Sequence, residues 1–205
     1  MVSTTVEVAG AVSLAGTAAT IGVLAYLHVA PTGLSPVRNP VSQYGISTYR
    51  WGYRAMTISM GVAGAALGIA LHGAVHGSGV AAILALLAIF SVSRLAISWF
   101  PMDVPGTERT PTGAVHGLLA IATFGSAAAA AVRLYRVLEV DTAWTTLAGV
   151  SRGLGWAMVA CLGVLMLSRL APEVRRVFGA VERALYVGIL AWLIVIGVAC
   201  ATGQL

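Results

Sequence analysis

Arg94 stands inside a nearly uninterrupted apolar run, Val80 to Phe100, in a chain that contains no lysine. A guanidinium in such a run is costly in lipid. It persists only beside a polar partner, a polar cavity or the membrane interface. Four residues offer that company: His28, Asp103, His116 and Glu182. Asp103 and His116 are separated by a turn and a helix start, so geometry can bring them within hydrogen-bond reach. As a pair they would act as a general base and its orienting partner, or join His28 as metal ligands. No helical HxxxH spacing supports a metal on this face, and a hydrogen-bonded polar network is the favoured reading. His72 and His76 have that spacing, but they straddle a Gly-rich turn at the opposite mouth.

Glu182 is a candidate to neutralise Arg94 or Arg183. A guanidinium there can instead meet a lipid phosphate, to which it presents two directed donors. The segment Pro31 to Gly45 carries helix breakers at Pro31, Gly33, Pro36 and Pro40. Asn39, Ser42, Gln43 and Tyr44 add hydrogen-bonding groups beside the breakers, and Arg38 adds a cation. Two readings of this segment stand side by side: a re-entrant cap folded over a polar chamber, or a surface loop that spaces helices. Ser91, Ser93 and Ser98 lack a Gly-x-Ser-x-Gly context, and no phosphate-binding loop or dinucleotide fingerprint is present. The sequence specifies no cofactor.

These residues need helices to position them, and the composition supplies membrane helices. The chain has 205 residues, is 59% hydrophobic and only 9% charged. Its mean hydropathy is +0.91. A soluble domain carries about 25% charged residues. Apolar runs near membrane length recur at about Ala9–Val29, Ala55–Gly73, Val80–Phe100, Thr112–Val132, Gly153–Leu170 and Val181–Thr202. They predict an all-α, polytopic membrane protein: one domain over residues 1–205, folded as a compact bundle of six transmembrane helices. Thr110 suits a helix N-cap, with Pro111 at the first helical position. Gly64 and Gly68 have small-xxx-small spacing and predict close helix packing, with a dimer seam as the lesser alternative. Trp192 reads as core. Cys161 and Cys200 read as small buried hydrophobes and not as a disulfide.

Six spans place loops one, three and five on one side. His28, Asp103, His116, Glu182 and Arg183 therefore share one membrane face. Arg94 lies six residues before Phe100, about 9 Å below that face, within reach of a snorkelling side chain. The arginines are spread along the chain, which argues against a nucleic-acid partner. Most of them fall on the side of the odd-numbered loops, which by the positive-inside rule is cytoplasmic.

Three stretches carry a resemblance: "HVAPTGLSPVRNPVSQYG" from His28, "SRLAISWFPMDVPGTERTPTGAVHGLLAIATF" from Ser93, and "GAVERALYVGILAW" from Gly179. Together they resemble the signature of an uncharacterised bacterial six-span membrane family, itself distantly like the DRAM and Sfk proteins. Those proteins are linked to lipid organisation or remodelling. The resemblance marks His28, Ser35, Pro36, Asn39, Ser42, Tyr44 and Gly45. It also marks Phe100, Asp103, Gly106, Thr110, Gly113 and His116, and then Glu182, Arg183 and Trp192. It implies a cytoplasmic N-terminus, the opposite orientation to the arginine count.

The combined expectation is a multi-pass protein of the cell membrane that binds or handles a lipid through a polar chamber at one face. His28, Asn39, Ser42, Tyr44, Arg94, Glu182 and Arg183 would contact the lipid. Asp103 and His116 would orient a headgroup or, in an enzyme acting on a lipid or another amphipath, move protons. A third reading is a structural subunit of a membrane complex. Membrane lipids are the expected partners, and a protein partner or a homo-oligomer stays open.

Overall fold

The computed structural model describes residues 3–168 and 170–205, the side chain of residue 172 excepted. Six of its helices are long and apolar enough to cross a membrane. They are α1 (Thr4–Val29), α2 (Arg50–Ala74), α3 (Val80–Ala96), α4 (Pro111–Leu138), α5 (Thr145–Leu167) and α7 (Phe178–Ala201), with the short α6 (Pro172–Arg175) between the last two. Short 3-10 segments cover Val41–Ile46, Ile97–Trp99 and Thr142–Trp144. Arg169, one of the cations counted beside the odd-numbered loops, lies outside the described residues.

The helix ends follow their capping chemistry. Ser3 accepts from Thr5 N and starts α1 earlier than the apolar run alone suggests. Thr110 Oγ1 accepts from Gly113 N at 3.0 Å, with Pro111 at the first helical position, as the sequence predicts for α4. Arg133, Leu134, Tyr135 and Arg136 continue α4 beyond the expected membrane segment to Leu138.

Each long helix packs on the next, from α1 through α5. Then α7 packs on both α5 and α1 and closes the ring. It also touches α2 and α4 across the centre. In lipid, helices associate through close van der Waals contact and interhelical hydrogen bonds. Both devices are present. Gly61 and Gly64 of α2 lie directly against Leu95, Phe90 and Ser91 of α3, whereas Gly68 is less tightly met. The small-residue face of α2 is thus used inside the bundle. Ser151 Oγ of α5 donates to Ala131 O of α4 at 2.9 Å and accepts from Trp192 Nε1 of α7 at 2.9 Å. Trp192 is accordingly a fully buried core residue. Cys161 and Cys200 are free.

Candidate functional site

The first, third and fifth connections meet at one end of the bundle. Residues 30–49, between α1 and α2, form a strap laid across the start of α7. Ala180 N donates to Val37 O at 3.0 Å. Val41 N donates to Glu182 Oε2 at 2.7 Å. Arg183 Nη1 donates to Asn39 O at 2.8 Å, and Nη2 makes a longer 3.4 Å contact with Tyr44 Oη. A Cβ on residue 179 would lie 2.5 Å from Asn39 O and 2.7 Å from Pro36 O, so the close approach needs Gly179. Inside the strap, Asn39 accepts from Ser35 N through Oδ1 and donates to Gln43 Oε1 through Nδ2. The turn Val41–Ile46 buries Val41 and Tyr44 in the core. These contacts dock the segment on the end of the bundle, against the start of α7.

His28 reaches the same junction from the end of α1. Arg183 Nε lies 2.6 Å from His28 Nε2, and His28 Nδ1 lies 2.6 Å from Leu24 O. A guanidinium only donates, and a carbonyl only accepts. The contact set therefore fixes His28 as the neutral tautomer, with its proton on Nδ1 and its Nε2 lone pair received by Arg183.

Arg94 is 1% exposed. Its Nη2 donates to Tyr186 Oη of α7 at 2.9 Å, while its Nε has no protein partner. The expected neutralisation by Glu182 takes another form. Among the described residues, Glu182 accepts from the Val41 amide, and neither Arg94 nor Arg183 is hydrogen-bonded to it. A carboxylate at the start of α7 thus satisfies a backbone donor of the strap that no helix or sheet would satisfy.

The expected Asp103–His116 hydrogen bond is replaced by two separate ones. Asp103 Oδ1 accepts from Thr110 Oγ1 at 2.6 Å and from Thr110 N at 3.2 Å, closing the third connection on itself. His116 Nδ1 lies 2.7 Å from Phe100 O, a carbonyl just past the 3-10 turn that ends α3. Because that carbonyl only accepts, Nδ1 carries a proton, and in the neutral ring Nε2 is then the acceptor nitrogen.

His116 and Glu182 face one cavity of about 430 Å³ between α4, α5 and α7. Phe124 of α4, Leu162 and Leu165 of α5 and Phe178 of α7 make its apolar walls. Pro40 and Ser42 of the strap and Met102 of the third connection form its roof, joined where Ser42 Oγ meets Met102 Sδ at 3.2 Å. A second cavity of about 590 Å³ shares Gly117, Ile121 and Phe178 with it and forms a charged mouth bearing Asp103, Arg109 and Arg175. At the same end, Arg54 is stacked between Trp51 and Trp99, 4.8 and 4.7 Å from their ring centroids. An arginine between two exposed indoles is an interface anchor.

The structure thus gathers His28, Asn39, Ser42, Tyr44, Arg183 and Glu182 around the strap. It places His116 in the chamber and Asp103 at the mouth, and it sets Arg94 in the helix core beneath. Arg109, Arg175 and Tyr186 were missed in the sequence. The first two sit one turn or less outside span ends on the Asp103 side, and that position was the available signal. No group of three His, Cys, Asp or Glu side chains forms a metal-binding set among the described residues. His28, Asp103 and His116, the suggested ligand set, each hold separate protein partners.

Six apolar helices in a closed ring, with a strapped chamber at one end, define a multi-pass membrane protein. The chain belongs to the family described as protein of unknown function DUF998, whose profile matches residues 14–199. No curated protein and no solved structure matches it.

Proposed function

We propose that this protein binds an amphipathic lipid of the cell membrane at the strapped end. The apolar part lies in the chamber between α4, α5 and α7, and an acidic headgroup lies at the mouth against Arg109 and Arg175. The observation that carries this reading is the pairing of the two cavities. An apolar chamber with few polar groups on its wall shares three wall residues with a mouth bearing two guanidiniums. The chamber falls within the roughly 300–1,000 Å³ typical of small-molecule sites. Neither arginine of the mouth is tied by a protein hydrogen bond among the described residues, whereas Arg94 and Arg183, the sequence candidates for phosphate, are engaged internally. The resemblance to DRAM and Sfk proteins agrees with a role in lipid handling.

Native mass spectrometry of the protein released from lipid nanodiscs tests the proposal. A phospholipid should stay bound to the wild type and be lost when Ala120→Trp fills the chamber. Equal retention by the two proteins would refute it.

One observation favours a second reading, an enzyme acting on such a lipid. His116 Nε2 is a free base on the chamber wall, oriented by Phe100 O in the role first expected of Asp103, and the Ser42 hydroxyl lines the same cavity. Labelling by a fluorophosphonate that disappears in both Ser42→Ala and His116→Gln would support it. An unlabelled wild type would remove it.

A further inference from the structure

The contact between His28 and Arg183 depends on a single proton. Arg183 donates through Nε to a lone pair that exists only on the neutral imidazole, and the same guanidinium holds the strap through Asn39 O and Tyr44 Oη. We infer that the His28–Arg183 contact is a proton-operated latch: neutral His28 keeps the strap docked over the chamber, and protonated His28 releases it.

Protonation turns Nε2 from an acceptor into a donor and gives the ring a positive charge. It then faces a guanidinium that has only donors and the same charge. The imidazole cannot answer by rotating, because Nδ1 is bound to Leu24 O one turn back in α1. Arg183 must therefore draw Nε back from the ring, which weakens its bonds to Asn39 and Tyr44 against the one that Nη1 keeps to Gly179 O within α7. The Ala180–Val37 backbone bond, the Glu182–Val41 bond and the buried Val41 side chain still hold the strap to the bundle.

The surroundings suit a switch. From the strap, the Tyr44 ring meets His28 edge to face at a centroid distance of 5.9 Å. From α7, Arg183 faces the ring, and Tyr186 lines the same outward groove of about 460 Å³ between α1 and α7. His28 is partly buried and lines that groove in the last turn of α1, at the strapped end of the bundle. Glu182 neighbours Arg183 but is turned to the Val41 amide. Pro40 and Ser42, which roof the chamber, lie between the two points that Arg183 holds. Release at Asn39 and Tyr44 thus loosens the strap on both sides of the roof, while Val41 stays tied to Glu182. This inference rests on the strap and is independent of what the chamber holds.

Hydrogen exchange of the full chain in lipid nanodiscs tests it, at about pH 7.5 and about pH 5. After correction for intrinsic exchange, the amides of residues 37–46 should exchange at least about ten-fold faster at the acid pH, as loss of one charge-assisted hydrogen bond predicts. His28→Gln keeps an acceptor for Arg183 that takes up no proton, and its strap should exchange slowly at both values. An unchanged wild-type strap would overturn the latch. An equal acid response in His28→Gln would also overturn it and pass the switch to Glu182. Should His28→Gln fold poorly, nitrogen NMR of histidine-labelled wild type decides. His28 must pass from the Nδ1-protonated tautomer to the imidazolium with the same midpoint as strap release. A His28 that titrates while the strap stays docked, or that does not titrate in this range, defeats the inference.

Discussion

The carboxylate of Asp103 occupies the space that a Cβ on residue 113 would fill. Asp103 can bind Thr110 while Thr110 caps α4 only because Gly113 is a glycine. Gly113→Ala should therefore displace Asp103 from Thr110 and destabilise the protein by about 1 kcal/mol through loss of those hydrogen bonds. Asp103→Asn, which keeps an acceptor oxygen, should cost less. Thermal unfolding in one detergent ranks the two, and the opposite order would contradict this account of the third connection.

Tyr186 is the hydrogen-bonding partner of a fully buried guanidinium. Tyr186→Phe should destabilise by about 1.5–3 kcal/mol, since it removes the acceptor and leaves the charge. Arg94→Met combined with Tyr186→Phe should recover part of that loss, because an apolar replacement removes the charge as well. A double variant less stable than Tyr186→Phe alone would show that Arg94 has stabilising partners beyond Tyr186.

Ser151 joins three helices through one hydroxyl. Ser151→Ala should leave the buried indole N–H of Trp192 without its partner, at a cost of about 1–3 kcal/mol. Trp192→Phe should cost less in the Ser151→Ala background than in the wild type. A double-mutant cycle on unfolding midpoints measures the coupling, and additive effects would exclude it.

At the mouth, Arg109→Gln together with Arg175→Gln should weaken retention of acidic phospholipids more than of zwitterionic ones. The wild-type preference should shrink as salt rises, because these side chains are exposed. Competition between the two lipid classes, read by native mass spectrometry, checks both statements. A preference indifferent to both arginines would place the headgroup elsewhere.

The spans were legible because apolar runs of membrane length admit few alternatives. Even the start of α4 was readable, from Thr110 followed by Pro111. Span parity also brought the first, third and fifth connections to one end, where Glu182 meets Val41 and Ser42 meets Met102. Pairings within that end were not readable. Asp103 found Thr110, seven residues away in its own loop. His116 found Phe100 O, and sequence carries no mark for a carbonyl left over where a helix ends. Arg109 and Arg175 passed as topology charges, since only the packed bundle shows that both line the mouth.

The strap waits on the far end of the chain. Val41 is separated by 141 residues from Glu182, whose carboxylate secures its amide. At about 5–20 residues per second, a ribosome needs roughly 7–30 s to make that stretch. Through that interval the nascent protein sits in the bilayer unroofed, and the helix that closes the ring also arrives with the groups that shut the lid. Until α7 is made, the strap lacks its partners at Ala180, Glu182 and Arg183, and the chamber lacks one of its walls.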